Sequence, residues 1–211
     1  FETGTAMAEL PKFKPRWLTS NAPKTDTLPL RLSPSSIRAI KDARIGEIIE
    51  LGERLEITGK YDPATLGSAL HAVIATTILG QNATHRVLRD HDMHNTISVA
   101  VADESAKRLI DRLDERFTPL HYYTEFPLYY TTDDGQVVSG WIDLLVETPE
   151  GFVLIDHKAS PRARSDWEEI ALGYSGQLEA YSEGISRATG KPVASRWIHF
   201  AVTGGMVEVV V

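Results

Sequence analysis

No cysteine occurs in the 211 residues of this chain, which excludes disulfides, thiolate-held zinc, cysteine-ligated iron–sulfur clusters and cysteine nucleophiles together. That composition suits a reducing compartment, and a cytoplasmic protein is the expectation. No apolar run nears the roughly 20 residues that cross a bilayer, so no membrane partner is expected. The start, FETGTAMAEL, lacks the basic-then-apolar layout of a secretory signal and, with Met7 inside it, reads as cloning-derived residues. A Gly-x-x-x-x-Gly-Lys-(Ser/Thr) phosphate loop is also missing, so these residues do not themselves form an ATP-driven motor.

Positive charge is in short supply. With 22 Lys and Arg against 29 Asp and Glu, the net charge is −7. This argues against coating nucleic acid through bulk positive charge, which needs many Lys and Arg contacts to phosphate. A local basic groove stays open.

What is present is ordinarily globular: 42% hydrophobic and 24% charged residues, at a length that suits one large domain with or without an arm. Residues 1–30 are rich in Pro, Thr, Lys and Ser without a sustained period and read as an extended or disordered arm. Residues 31–211 read as one domain. A helix is expected from Ser33 or Ser35 to Leu55, on the spacing of Ile37, Ile40, Ile45, Ile48 and Ile49. A second starts after Asp62, with Pro63 in its first turn, and stops at Gly80. Residues 82–116 are helical in composition. The period then changes to two. HYYTEFPLYYTT, VVSGWIDLLVE and FVLIDHKA, separated by DDGQ and TPEG turns, predict a three-stranded antiparallel meander. A helix broken near Gly173 follows, and ASRWIHFAV and MVEVVV close as strands. The order predicts an α/β fold with a mixed central sheet, its meander flanked by helices, and a helical N-terminal part.

The stretch WIDLLVETPEGFVLIDHKAS places carboxylates inside apolar strands. A symmetric turn over Thr148 to Gly151 puts Glu147 opposite Phe152 and, continued, Asp143 opposite Asp156, with Cβ atoms roughly 4.5–5.5 Å apart. Lys158, two residues on, shares the face of Asp156. Facing carboxylates destabilise a sheet unless something compensates. A divalent cation does so, because carboxylate oxygens are ligands Mg2+ prefers. A hairpin salt bridge, with Lys158 neutralising one aspartate on a wet surface, is the plainer alternative.

GWIDLLVETPEGFVLIDHKAS followed by GQLEAYSEGI resembles the RecB-like nuclease domains of the PD-(D/E)XK superfamily, in particular the C-terminal nuclease domain of AddA-type helicase-nucleases. The matching motifs are Gly140-Trp-Ile-Asp143, Asp156-His-Lys158, Gln177 to Tyr181, Gly67-Ser-Ala-Leu-His71, and Glu125 in TEFPL. They follow the family's order and spacing from about Leu32 to Val202. The resemblance implies a restriction-endonuclease-like core in which Asp143, Asp156 and His71 bind Mg2+ (or Mn2+) and Lys158 is catalytic. It further implies that Gln177 and Tyr181 line the site, and that Glu125 joins it. Each residue also has a structural reading: His71 lies among Leu70, Val73, Ile74 and Ile78 as a core histidine would, and Glu125 could simply pair at a strand start. His157, in the middle of Asp-x-Lys, is expected on the opposite face without a catalytic role.

Arg162, Arg164 and Tyr174, beside the presumed site, suit contacts to the backbone and bases of single-stranded DNA. The expectation is therefore a metal-dependent exonuclease acting on single strands in recombination or repair, working with a partner subunit or helicase motor. The alternative is a catalytically inactive DNA-binding module of the same fold, or a stand-alone restriction- or repair-type endonuclease.

Overall fold

A computed structural model describes residues 30–211. The arm expected over residues 1–30 lies outside the described residues apart from Leu30. One seven-stranded sheet is built from β1 (Arg31–Leu32), β2 (Arg44–Glu50), β3 (His121–Thr131), β4 (Val137–Thr148), β5 (Gly151–Lys158), β6 (Val193–Phe200) and β7 (Gly205–Val210). The order is β1-β4-β5-β6-β7-β2, with β3 paired to β4. β5 runs parallel to β6 and β1 parallel to β4, while the other pairings are antiparallel, so the sheet is mixed as expected.

Helices cover both faces. α1 (Pro63–Ile78), α2 (Thr84–Asp90) and α3 (Val99–Phe117) pack with Leu144, Val146, Val153 and Ile155 on one side. α4 (Trp167–Gly173) and α5 (Ser175–Thr189) pack with Ile142, Leu154, Ile198 and Val207 on the other. The expected capping of α1 is present: Asp62 accepts from the Thr65 N–H at 2.8 Å, with Pro63 in the first turn. The helix break near Gly173 is the α4–α5 junction, and α5 ends on Gly190 at φ 71°.

The helix expected from Ser33 or Ser35 to Leu55 does not form. A 3-10 turn at Pro34–Ser36 is all that remains of it, and Arg44–Glu50 is a strand paired with β7. A bulge between Ile45 and Ile48 explains the misreading. It turns both side chains toward the α4–α5 side while Ile49 faces the α1 side, so a kinked strand mimics helical spacing. Burying β-branched residues on both faces then favours a strand.

The hairpin register agrees with the sequence as far as the ladder runs. Thr148 faces Gly151 around a two-residue Pro149-Glu150 turn, Glu147 faces Phe152, and pairing continues to Leu144 opposite Ile155. The next rung, Asp143 with Asp156, is not made. β4 stays paired with β3 but leaves β5 here, and among the described residues it meets on that edge only β1, at Val137 and Val138. The sheet thus carries a notch alongside residues 139–143.

A second irregularity lies at the same level. β3 and β4 pair at Thr124–Leu144 and at Phe126–Ile142, with Glu125 between them at φ 50°. Side chains three residues apart in each strand, Tyr123 and Phe126, Ile142 and Leu145, consequently face the same core. Both strands exchange faces at Glu125 and Asp143, where a regular pleat would have kept one alternation throughout.

Candidate active site

The notch gathers side chains from five elements, α1, β3, β4, β5 and α5. Asp143 lies at its edge and Oδ2 accepts a hydrogen bond from the His157 backbone N–H at 2.7 Å, so the carboxylate supplies the contact that a β4 carbonyl would have made. His71 descends from α1, with Nδ1 3.6 Å from Asp143 Oδ1 and Nε2 3.2 Å from the His157 carbonyl oxygen. A carbonyl only accepts, so Nε2 carries the proton and Nδ1 presents a lone pair toward the carboxylate. Gly67 on α1 faces Ala159, just past the end of β5; a Cβ at Gly67 would stand 3.5 Å from Ala159 Cβ, an ordinary van der Waals contact.

One ligand atom each from His71, Glu125 and Asp143 lie within 4.8 Å of one another. An imidazole lone pair and two carboxylates, with Glu125 on the exposed side of the group, repel one another unless a proton or cation stands between them. The donor set is oxygen-rich with one nitrogen and fits a divalent cation such as Mg2+ or Mn2+. Burial, and then the charge of Asp156, push the Asp143 carboxyl well above the usual carboxylate range. Burial alone raises Glu125. Burial also lowers His71, against the opposing pull of Asp156, and so favours the neutral form that binds metal.

Asp156 and Lys158 stand beside this cluster on β5. Asp156 is 3% exposed. Its Oδ1 accepts from Gln177 Nε2 at 2.5 Å, and its Oδ2 faces Lys158 Nζ at 2.7 Å with no further partner among the described residues. Burial raises its carboxyl, and Lys158 opposes that rise. Burial in turn pulls Lys158 down, but Asp156 outweighs it and holds the ammonium above its usual value. Lys158 Nζ also sits 4.2 Å from the centre of the Tyr174 ring, a cation–π contact.

Gln177 and Tyr181, one turn apart on α5, hold different parts of the notch. Gln177 fixes Asp156, whereas the Tyr181 hydroxyl donates to the Trp141 carbonyl oxygen at 2.7 Å on the edge that β5 has left. Burial, followed by the two aspartates, raises Tyr181 and keeps it a donor. Gly140 is explained here, since a Cβ would crowd Pro34 at 3.1 Å and the Tyr181 ring at 3.2 Å.

A cleft of about 550 Å3 opens from this site, with Gly67, Ser68 and His71 on one wall and Ser160, Arg162 and Tyr174 on the other. Arg162 is exposed and 3.9 Å from Asp166 Oδ2. Arg164 does not line the cleft; its guanidinium pairs with Glu50 and lies over Trp167.

His157, expected on the face away from Asp156, does point to the α1 side, 5.3 Å from the His71 ring. His199 was not among the expected site residues. The Nδ1 atoms of His157 and His199 are 3.0 Å apart, and burial lowers both rings, His199 to about 3. This neutral buried pair backs the carbonyl that orients His71. The polar residue within the apolar strand WIHFAV was the available signal.

Residues 31–209 match the PD-(D/E)XK nuclease superfamily. The chain is similar to an ATP-dependent helicase/nuclease subunit of Pelotomaculum thermopropionicum, at 32% identity over 176 residues, covering 79% of this chain and 13% of that protein. The proteins of the same name from Levilactobacillus brevis and Clostridium botulinum strain 657 share 28% over 88 residues and 34% over 77. These matches cover 40% and 36% of this chain and 7% and 6% of the relatives. The chain therefore spans only a small part of the length of the relatives it matches.

Proposed function

The chain belongs to the PD-(D/E)XK nuclease superfamily, and on that premise we propose that it is a Mg2+- or Mn2+-dependent deoxyribonuclease, acting as an exonuclease on single strands. Its relatives are helicase/nuclease subunits, which supports a role in recombination or repair beside a helicase motor. The observation that carries the reading is the convergence of His71, Glu125 and Asp143 beside the ion pair of Lys158 with the buried Asp156.

His71, Glu125 and Asp143 would hold the ion, and Asp156 Oδ2, which faces Lys158 Nζ at 2.7 Å, would join them. When bound, the ion would polarise the scissile phosphate and ease deprotonation of the attacking water. The chain's own groups do the rest. Lys158, pinned between Asp156 and the Tyr174 ring, donates hydrogen bonds to the attacking water or a phosphate oxygen and stabilises charge that develops there. Gln177 keeps Asp156 in the orientation that aims Lys158. The His157 carbonyl fixes the His71 tautomer. Arg162 and Tyr174 on the cleft wall suit a phosphate contact and a base contact to one strand. Arg164 would serve only after release from Glu50.

The test is hydrolysis of end-labelled single- and double-stranded DNA, linear and circular, with Mg2+, with Mn2+ and with chelator, alongside Asp156→Ala and Lys158→Ala. The expected result is metal-dependent loss of linear single strands that both variants abolish. Cleavage that persists in chelator or in both variants overturns the mechanism, and efficient cutting of circles overturns the exonuclease reading.

A further inference from the structure

We propose that Trp141 and Tyr129 form a base-stacking platform that extends the active site along β4 and seats unpaired DNA bases next to the scissile phosphate; the inference rests on the nuclease reading above. Among the described residues, the strongly exposed aromatic side chains are Tyr129 at 72% and Trp141 at 60%. Both stand on one surface. Pro127 faces Trp141 and Tyr129 faces Ser139, so the two rings are diagonal neighbours on adjacent strands, a separation of roughly 7–8 Å that aromatic side chains bridge.

The side of the sheet is fixed by their neighbours. Ile142 packs with α5, and Gly140 lies against Pro34 and the Tyr181 ring, so Trp141 between them points the opposite way, toward the side from which His71 descends. The helices that cover that side at Leu144 and Val146 do not extend, among the described residues, over Ser139 and Trp141, which are exposed. Asp143 is two residues further along the same strand, about 6.6 Å away at strand rise. An indole held open to solvent beside a cation-binding cluster has no role in the core.

Trp141 is also held in place. Its carbonyl oxygen accepts from the Tyr181 hydroxyl at 2.7 Å, on the helix whose Gln177 fixes Asp156. A base stacked on the indole would thus be referenced to the catalytic pair through two bonds to one rigid helix. The occupant that fits is an unpaired base, because every base offers a π-face and the neighbouring Pro127, Tyr129 and Ser139 add no charge. In a duplex those faces are already stacked, so the platform favours single strands over double strands.

The test uses the chain with cleavage-resistant phosphorothioate oligothymidylate and with a matched strand carrying abasic positions, read by fluorescence anisotropy, for wild type, Trp141→Ala, Trp141→Phe and Tyr129→Ala. Trp141→Ala should weaken binding of the base-bearing strand about tenfold. It should leave the abasic strand unchanged, with an unaltered thermal melt because the side chain is exposed. Trp141→Phe should recover most of the loss, and Tyr129→Ala should fall between. Equal affinity of Trp141→Ala and wild type, or an equal loss on both strands, overturns the platform; the first outcome would mark the patch as a protein-facing surface. A wild type that binds the base-bearing strand more tightly than Trp141→Ala does, yet hydrolyses no DNA with Mg2+ or Mn2+, refutes the nuclease reading separately.

Discussion

The carboxylate of Asp143 accepts a hydrogen bond from the His157 N–H at 2.7 Å, so a side chain supplies the rung at which β4 and β5 separate. Asparagine at this position keeps an acceptor and removes a charge, whereas alanine orphans the N–H. In chelator, Asp143→Asn should be at least as stable as wild type by denaturant unfolding, and Asp143→Ala should be about 1–3 kcal/mol less stable. Added Mg2+ should raise the midpoint of wild type and of neither variant. Equal stability of the two variants would show that the rung contributes nothing.

Burial and their mutual charge hold Asp143 above its ordinary value, and burial does so for Asp156 against the pull of Lys158. A folded-state value above the unfolded one means stability that is complete below the usual carboxylate range, near 4, and lost as pH rises through the folded value. The metal-free protein should therefore weaken as pH climbs from about 4 through neutrality, by at most about 1.4 kcal/mol per pH unit per proton. The slope should be shallower in Asp143→Asn. Apparent Mg2+ affinity should rise over the same interval, since the cation displaces those protons. Identical slopes in wild type and Asp143→Asn, from unfolding curves at several pH values in chelator, would contradict this account.

Removing the Lys158 ammonium leaves Asp156 buried beside no cation except His71 when protonated. Lys158→Ala should lower single-turnover hydrolysis about 100- to 10,000-fold. Breaking a buried pair costs about 3–5 kcal/mol when the remaining charge must stay. The loss should be largest at alkaline pH and shrink as the pH falls and Asp156 takes up a proton. Adding Asp156→Asn to Lys158→Ala should recover stability but not activity. A pH-independent loss would mean that Lys158 acts mainly through packing.

Glu125 holds φ 50° in mid-strand, a left-handed conformation that costs a non-glycine residue about 1–2 kcal/mol. Glu125→Gly should thus be more stable than Glu125→Ala by about 1 kcal/mol in chelator, while both bind Mg2+ more weakly than wild type. Calorimetric titration with Mg2+, beside thermal melts, separates the two effects. Undiminished Mg2+ binding in both variants would remove Glu125 from the ligand set.

Much of this arrangement was legible in the sequence, for physical reasons that also set the limits. TPEG between alternating runs fixes a hairpin, and that fixes the facing of Leu144 and Ile155; Asp62 with Pro63 fixes a helix start. These signals are local. The end of the ladder at Asp143 is not, since it depends on β4 preferring β3 to β5. The same holds for the face exchange at Glu125, which no period in TEFPL reveals. The expected ligands His71, Asp143 and Asp156 and the gathered His71, Glu125 and Asp143 share two members for this reason: a left-handed residue brings in the third. Ile45 and Ile48 misled because a bulge and a helical turn leave the same spacing.

The pairing of β2 with β7 has a consequence for when the fold can exist. Arg44 faces Val210 and Glu50 faces Gly205, so β2 finds its neighbour only after the helices and strands between the two have left the ribosome. Contacts this distant in sequence form slowly, because the intervening chain must first give up its freedom. α1, which carries His71, is made long before the strands beneath it and must wait without its binding surface. Nascent chains should therefore stay sensitive to protease until β7 emerges, and then gain protection and metal binding in one step.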